Sequence, residues 1–291
     1  MWVSLILASA LLLAFYDVAR KHSVNRNAVM PVLFLSTAAG AIFFTLLLAA
    51  SGELSSVLTL SWRNHARVFI KSLLVAGMWT CVFYAMRALP VSIVAPIRSS
   101  APFWTLIGGI FLYREVPNAI QAAGMAIVLA GYVLFSLAGK AEGIHFGRHH
   151  GILLVAIGTL LGAVTALYDK YLLQLCGLPP NAMQFWFALW LVVLIGLALA
   201  VQRRTGLGRT PFTWRWSIPV VGILLVLSDW LYFHALAEPG VAVSILSLIR
   251  RSGVVVAFAI GAVLFGEGNL KRKAVAMAAI LIGVAILTLA S

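Results

Sequence analysis

Acidic side chains are scarce in this 291-residue chain, which has eight Asp and Glu against 21 Lys and Arg and a formal net charge of +13. Charged residues make up only 10% of the sequence, whereas hydrophobic residues make up 63%. This number of polar groups is too small to cover the surface of a soluble globular protein. We therefore predict a polytopic membrane protein. The basic residues lie in short loops between apolar runs, which favours contact with anionic lipid over binding to nucleic acid.

Several motifs of soluble chemistry are also missing. The two cysteines, Cys81 and Cys176, have no CxxC spacing, so the sequence indicates neither a disulfide framework nor a thiolate metal site. There is no Walker A pattern, which argues against ATP-driven transport, and no H-E-x-x-H or G-x-S-x-G, which argues against a hydrolase. We therefore expect no metal and no cofactor.

What the chain has instead is ten apolar runs, each long enough to cross ~30 Å of hydrocarbon at ~1.5 Å per residue. Because only helices and closed barrels satisfy the backbone in lipid, and these runs do not alternate in polarity, they are predicted to be helices. The predicted spans are residues 2–21, 29–50, 66–88, 90–113, 117–138, 150–174, 181–201, 216–236, 241–265 and 272–290.

One stretch of the chain occurs twice. Residues 88–115 recur as residues 240–267 at a constant separation of 152 positions, which pairs Arg98 with Arg250. Duplication inside a hydrophobic protein is typical of secondary transporters, whose substrate site lies where the repeats meet.

The duplication predicts two domains, a first five-helix repeat at 1–140 and a second at 150–291. Five is an odd number, so the second copy enters the membrane in the opposite sense. The predicted fold is therefore an all-α membrane protein of ten transmembrane helices in two inverted five-helix repeats.

Lys and Arg are divided unequally between alternate loops. The loops after the odd-numbered spans hold thirteen, and the other set holds four, namely Arg63, Arg67, Lys71 and Arg114. By the positive-inside rule, the richer set is cytoplasmic. This predicts a cytoplasmic segment 203–215 and both termini outside.

Arg98 and Arg250 are the central candidates for binding an anion. A charged side chain in a membrane span costs at least ~2.5 kcal/mol, so it usually faces a cavity or a partner. Each lies about 12 Å into its predicted helix, and in an inverted pair only residues at mid-depth can converge. Pro96 and Pro102 interrupt the helix on either side of Arg98, as in broken-helix binding sites. The predicted substrate contacts are Arg98, Arg250, Arg251, Ser99, Ser252, Trp79, Tyr84 and Trp230.

A structural alternative pairs each arginine with the aspartate of its own half, since Asp17 and Arg98 are predicted to lie in the same leaflet. One aspartate cannot neutralise the adjacent Arg250 and Arg251, which favours an anion. In inverted repeats, equivalent residues that lie away from mid-depth are near opposite faces of the membrane. Asp17 and Asp169 are therefore predicted to act near opposite sides. The candidate coupling or gating residues are Asp17, Asp169, Asp229 and His234.

Over its whole length the chain resembles the drug/metabolite transporter superfamily, the EamA-like ten-helix proteins. The resemblance rests on five plus five helices and on a fourth helix that ends in glutamate in each half, as Y-R-E at Glu115 and F-G-E at Glu267. Pro102 lies thirteen residues before Glu115. Val254 replaces that proline in the second half, which predicts a less kinked helix there.

At the fourth helix the chain is similar to the sugar-phosphate translocator branch, which has a basic residue at the position of Arg98 and a basic pair at that of Arg250 and Arg251. The resemblance implies that these cations hold the phosphate of the substrate. Arginine stands here where that branch has lysine, and its other substrate contacts have no match in this chain. Family members usually have cytoplasmic termini, contrary to the loop count above.

The leading expectation is a secondary transporter, an exchanger or proton-coupled, of a small anionic metabolite, with phosphate as the suggested group, working by alternating access in the cytoplasmic or inner membrane. One alternative is a proton-coupled exporter of amino acids or drugs, with Asp17, Asp169 or Asp229 as the titrating group. Another is an intramembrane enzyme on a lipid-linked substrate, with Asp229 and His234 as acid and base. We expect a transporter and not an enzyme, with an anionic substrate and the lipid bilayer as partners and no nucleic acid; monomer and homodimer remain open.

Overall fold

The computed structural model describes residues 1–88, 97–98, 100–138, 150–206, 211–253, 255–256, 260 and 270–290. Within them the regular structure is helical, without a strand. The helices are α1 Trp2–Val24, α2 Val29–Ala50, α3 Leu54–Leu58, α4 Trp62–Ala88, α5 Ala101–Tyr113, α6 Ala119–Ala138, α7 His150–Lys170 with a π-helical turn Tyr171–Leu175, α8 Pro180–Thr205, α9 Ser217–Ala237, α10 Val243–Arg251 and α11 Leu270–Leu289.

Five of these helices are long and apolar enough to cross a bilayer, namely α1, α2, α7 with its π-helical turn, α8 and α9. Shorter apolar helices occur in α5, α6 and α11. Large apolar side chains such as Phe111 and Leu46 are exposed on these helices, as expected where lipid is the solvent. The predicted class, an all-α polytopic membrane protein, is confirmed.

The chain forms two compact units, and each takes segments from both predicted repeats. The first unit comprises residues 1–76 and 171–239, and the second comprises residues 77–170 and 240–291. The division into two repeats stays a prediction, because a compact unit is not a repeat.

In the first unit, α9 packs against α1 and α2 through small residues. A Cβ atom on Gly222 would lie 1.8 Å from the carbonyl oxygen of Ser36, and one on Gly40 would lie 2.7 Å from that of Gly222. The Ser9 hydroxyl donates to the carbonyl of Ser228 (2.7 Å), and the Ser228 hydroxyl donates to that of Ser9 (2.9 Å). Small residues and serine pairs are how transmembrane helices approach closely.

In the second unit, α6 packs against α11 through two contacts that are copies of each other. A Cβ atom on Gly131 would lie 3.1 Å from the carbonyl oxygen of Ala276, and one on Gly283 would lie 2.8 Å from that of Gly124. Gly283 follows Gly131 by 152 positions, and Ala276 follows Gly124 by the same number. Exchanging the two halves therefore exchanges the two contacts, which relates α6 and α11 by a local two-fold axis.

These equivalent helices also run in opposite directions. The side-chain amide of Gln121, at the start of α6, donates to the carbonyl of Ala290, just after α11 (3.2 Å). Antiparallel packing of the fifth helix of each half is what inverted repeats require.

The structure differs from the predicted spans in three places. An unpredicted helix, α3, lies in the linker after α2 and is held by the Trp186 indole, which donates to the carbonyl of Val57 (2.8 Å). The fourth predicted span, 90–113, is interrupted by a turn at Ser100, after which α5 begins at Ala101. The ninth predicted span, 241–265, is interrupted by a turn at Ser252, directly after α10.

Candidate functional site

The first candidate arginine, Arg98, is followed by a turn that interrupts its helix. The carbonyl of Ile97 accepts a hydrogen bond from the backbone N–H of Ser100 (3.1 Å) and another from the Ser100 hydroxyl (2.7 Å). In an α-helix this carbonyl would bond to the residue four positions later, so the serine tightens the chain into a shorter turn. α5 then begins at Ala101 with Pro102 in its first turn, where proline costs no helical hydrogen bond.

The same turn follows the arginines of the second half. The carbonyl of Ile249 accepts from the backbone N–H of Ser252 (3.0 Å) and from its hydroxyl (2.6 Å). Both residues lie 152 positions after their counterparts in the first turn. A less kinked helix was predicted here because Val254 replaces Pro102; Val254 lies outside the described residues, so this stays a prediction. What the described residues show is that the same serine bond forms the turn in both halves.

The three candidate arginines are all partly buried, and all lie in the second unit. Arg250 and Arg251 occupy the last turn of α10. A cation there interacts favourably with the negative end of the helix macrodipole, which gives the pair a structural role beside any role in binding. α10 packs against α5, the helix that begins three residues after Arg98.

The other end of α10 is capped by a side chain from elsewhere in the chain. The residue before the helix, Ala242, offers no side-chain hydrogen bond. Instead the Glu115 carboxylate accepts the backbone N–H groups of Val243 (2.8 Å) and Ser244 (3.2 Å) and the Ser244 hydroxyl (2.6 Å). The carboxylate thereby satisfies donors at a helix start that would otherwise lack partners.

Lys170 completes this arrangement from the end of α7. Its ammonium group lies 2.7 Å from Glu115 and donates to the carbonyl of Val241 (3.0 Å). The side chains of Lys170 and Glu115 are only 9% and 7% exposed. A buried ion pair of this kind is tolerated where further hydrogen bonds satisfy both charges, as they do here.

The end of α5 places Glu115 in position. Arg114 adopts a left-handed conformation (φ 54°), and the backbone N–H of Glu115 donates to the carbonyl of Gly109 (3.2 Å), which ends the helix. A Cβ atom on Gly109 would lie 2.7 Å from the Glu115 carboxylate. Glycine at this position leaves the space that the carboxylate occupies.

In the first unit, Trp230 and His234 are engaged in contacts on and beside α9. The Trp230 indole donates to the side-chain carbonyl of Asn181 (2.6 Å), whose amide donates to Glu53. The His234 ring lies 4.9 Å from the Trp230 ring, and its Nδ1 is 2.8 Å from the Trp230 carbonyl. Asp229, one residue before Trp230, is partly buried.

The two equivalent aspartates have different surroundings. Asp17 forms an ion pair with Arg20, one turn further along α1 (2.8 Å), and its side chain is 41% exposed. Asp169 is buried near the end of α7, next to Lys170. Sequence equivalence therefore does not give these residues equivalent environments.

Lys71 is a buried cation whose position the sequence prediction misjudged. It was counted among the loop charges, but it lies inside α4 and is 2% exposed. Its ammonium group lies 4.4 Å from the ring centre of Phe187 and 4.5 Å from that of Phe233, a cation–π arrangement. The signal was its position within a predicted span, where a lysine is costly.

The two units divide the predicted site residues between them. The first contains Asp17, Asp229, Trp230 and His234; the second contains Arg98, Arg250, Arg251, Ser252, Trp79, Tyr84 and Asp169. Trp79 and Tyr84 both lie on α4. Outside the described residues lie Ser99, Pro90, Pro96, Val254 and Glu267. Convergence of the arginines stays a prediction.

Comparison with known proteins agrees with this architecture. The sequence profile of the EamA-like transporter family matches residues 1–137. A crystal structure of another protein has the same fold, with a TM-score of 0.76 and 19% identity over 99% of this chain and 96% of the other. Among curated protein sequences, none matches this chain. The chain is thus a multi-pass membrane protein whose residues 1–137 match the EamA-like transporter family of the drug/metabolite transporter superfamily, and this match indicates a membrane transporter.

Proposed function

We propose that the chain is a secondary transporter of a small anionic, phosphorylated metabolite. It works by alternating access, as an exchanger or coupled to protons, in the cytoplasmic or inner membrane. The proposal builds on the family match of residues 1–137 and on the chemistry of the arginines in the second unit.

The observation that carries the proposal is the repeated turn. In each half a serine closes a turn onto the carbonyl that precedes the candidate arginine, at Ile97 and at Ile249. Interrupted helices beside charged groups in a membrane protein are a recurrent arrangement for binding an ion or substrate. Two copies of one interrupted helix supply Arg98 from one half and Arg250 with Arg251 from the other.

The chemistry of guanidinium suits a phosphate or a carboxylate. Its planar group donates two parallel hydrogen bonds to such an anion, and lysine cannot reproduce this geometry. A hydrogen bond to a charged group is worth ~1.5–3 kcal/mol, so loss of one arginine should weaken anion binding by roughly ten- to a hundredfold.

The test is to measure binding or exchange of inorganic phosphate, sugar phosphates and small carboxylates by Arg98→Gln and Arg250→Gln. Arg203→Gln is a matched control, because Arg203 is exposed at the end of α8 and is expected to leave affinity unchanged. All proteins would first be confirmed as folded by size-exclusion chromatography. Undiminished anion affinity in both site variants would refute the proposal and favour a proton-coupled exporter.

A second comparison separates a binding role for Arg98 from a purely structural one. If Arg98 only neutralises Asp17, the double variant Asp17→Asn with Arg98→Gln should recover much of what either single variant loses. If Arg98 binds the anion, the double variant recovers nothing, because the anion still lacks its partner. Rescue in the double variant would therefore contradict the binding role.

A further inference from the structure

We propose that Glu115 is a positioning residue for the arginine pair of the second half. Its carboxylate fixes where α10 begins, and with it the placement of Arg250 and Arg251. This inference rests on the proposed function, in which that pair contributes to anion binding.

The first step is that α10 has no cap of its own. The helix has nine residues, Val243–Arg251, and Ala242 before it cannot accept a hydrogen bond through its side chain. A helix this short is marginal by itself, since forming its first turn costs more than that turn returns. The donors at its start depend on Glu115, which lies 128 positions before Val243 in the chain.

The second step is that Glu115 is itself fixed. The end of α5 directs it, the missing side chain of Gly109 makes room for it, and the Lys170 ammonium holds it at 2.7 Å. Lys170 also binds the carbonyl of Val241, so one lysine fixes both the capping carboxylate and the chain that leads into α10. The cap is thus a rigid reference point within the second unit.

The third step connects the cap to the arginines. Arg250 follows Val243 by seven residues and Arg251 follows Ser244 by seven, which is two helical turns or about 10 Å along the same face. A negative charge at the start and positive charges in the last turn both complement the helix macrodipole. A change at the cap is therefore transmitted along α10 to the guanidinium groups.

The fourth step is that the arrangement is more than an ion pair. An ion pair needs only opposite charges, whereas the cap needs acceptor atoms facing the N–H groups of Val243 and Ser244. Exchanging the charges, as Glu115→Lys with Lys170→Glu, would retain the pair but would point an ammonium at those donors and a carboxylate at the carbonyl of Val241. The exchange therefore separates the two explanations.

The test measures affinity for inorganic phosphate in Glu115→Gln, Lys170→Met, Lys170→Arg and the charge exchange. Glu238→Gln is the matched control, because Glu238 is a glutamate at the C-terminal cap of α9 and belongs to the first unit, whereas α10 belongs to the second. Each protein would be assayed at the same interval below its own melting temperature, so that lost stability alone does not change the result.

We expect Glu115→Gln and the charge exchange to weaken phosphate binding by about tenfold or more, since small displacements of a binding group are costly. Lys170→Arg should retain affinity, and Glu238→Gln should match the unmodified chain. If Glu115→Gln does not fold, Ser244→Ala, which removes only the hydroxyl bond, should still weaken binding by about twofold or more.

Wild-type affinity in Glu115→Gln would overturn the inference. If Glu115→Gln does not fold, wild-type affinity in Ser244→Ala would overturn it. Wild-type affinity in the charge exchange would also overturn it. Arg250→Gln, measured in parallel, keeps the two proposals apart. If Arg250→Gln loses phosphate binding while the cap variants keep it, the positioning role fails and the anion site stands. If Arg98→Gln and Arg250→Gln both keep full affinity, the anion site fails, and the cap has nothing to position.

Discussion

Replacing Gly222 with alanine should strongly destabilise the first unit. The added Cβ would lie 1.8 Å from the carbonyl oxygen of Ser36 and 2.8 Å from the backbone nitrogen of Gly40. Ordinary side chains keep such atoms at least 3.0 Å apart, so α2 and α9 must separate by more than 1 Å. Both neighbouring atoms are backbone, so no side-chain rotation can relieve the clash.

The magnitude follows from two opposing terms. Overpacking costs ~1–3 kcal/mol, and a clash with backbone belongs at the upper end of that range or beyond it. Alanine regains ~1 kcal/mol over glycine through its helix propensity. The net loss of about 2 kcal/mol should lower the melting temperature by roughly 4–8 °C.

The assay is thermal unfolding in detergent, followed by tryptophan fluorescence, with Gly77→Ala as the matched control. Gly77 also lies within a helix, but its added Cβ would meet only Leu161 at 3.8 Å, an ordinary contact. Gly77→Ala should therefore hold or raise the melting temperature. If Gly222→Ala behaves like Gly77→Ala, the close approach of α2 and α9 is refuted.

Three further predictions concern the same architecture. Ser9→Ala should lower the stability of the first unit by ~0.6–1.7 kcal/mol, because the Ser228 hydroxyl keeps one interhelical bond, and denaturation in detergent would measure the loss. A reporter that is active only in the cytoplasm should be inactive when fused at the C-terminus and active when inserted within 203–215. The opposite pattern would overturn the topology predicted from the loop charges. Cysteines replacing Asp17 and Asp169 should label from opposite sides of the membrane, and labelling of both from one side only would contradict the inverted repeat.

The regularities of the sequence predicted much of the fold. Apolar runs of transmembrane length gave the helices, because in lipid the backbone has no other way to satisfy its polar groups. The constant separation of 152 positions paired Arg98 with Arg250, and in the described residues a matching serine turn follows each of them. The turns themselves were not predicted, because the helix interruption was attributed to proline and not to the serine that closes each turn.

Long-range partners could not be predicted in this way. Glu115 was recognised only as a mark of the family, because its contacts with Lys170 and Ser244 lie 55 and 129 positions away. Lys71 was misjudged because a count of loop charges does not show that rings from two other helices, those of Phe187 and Phe233, surround its ammonium. Both errors arise where packing, and not local composition, decides the role of a charge.

The paired glycine contacts between α6 and α11 bear on how the chain arose. A contact that is unchanged when its two sides are exchanged is what identical subunits make in a two-fold homodimer. A single five-helix ancestor able to insert in both orientations could have made the Gly131 and Gly283 contacts with a second copy of itself. Gene fusion would then join two copies whose contact surfaces already matched. Each copy could afterwards diverge separately, as the difference between Pro102 and its equivalent Val254 illustrates.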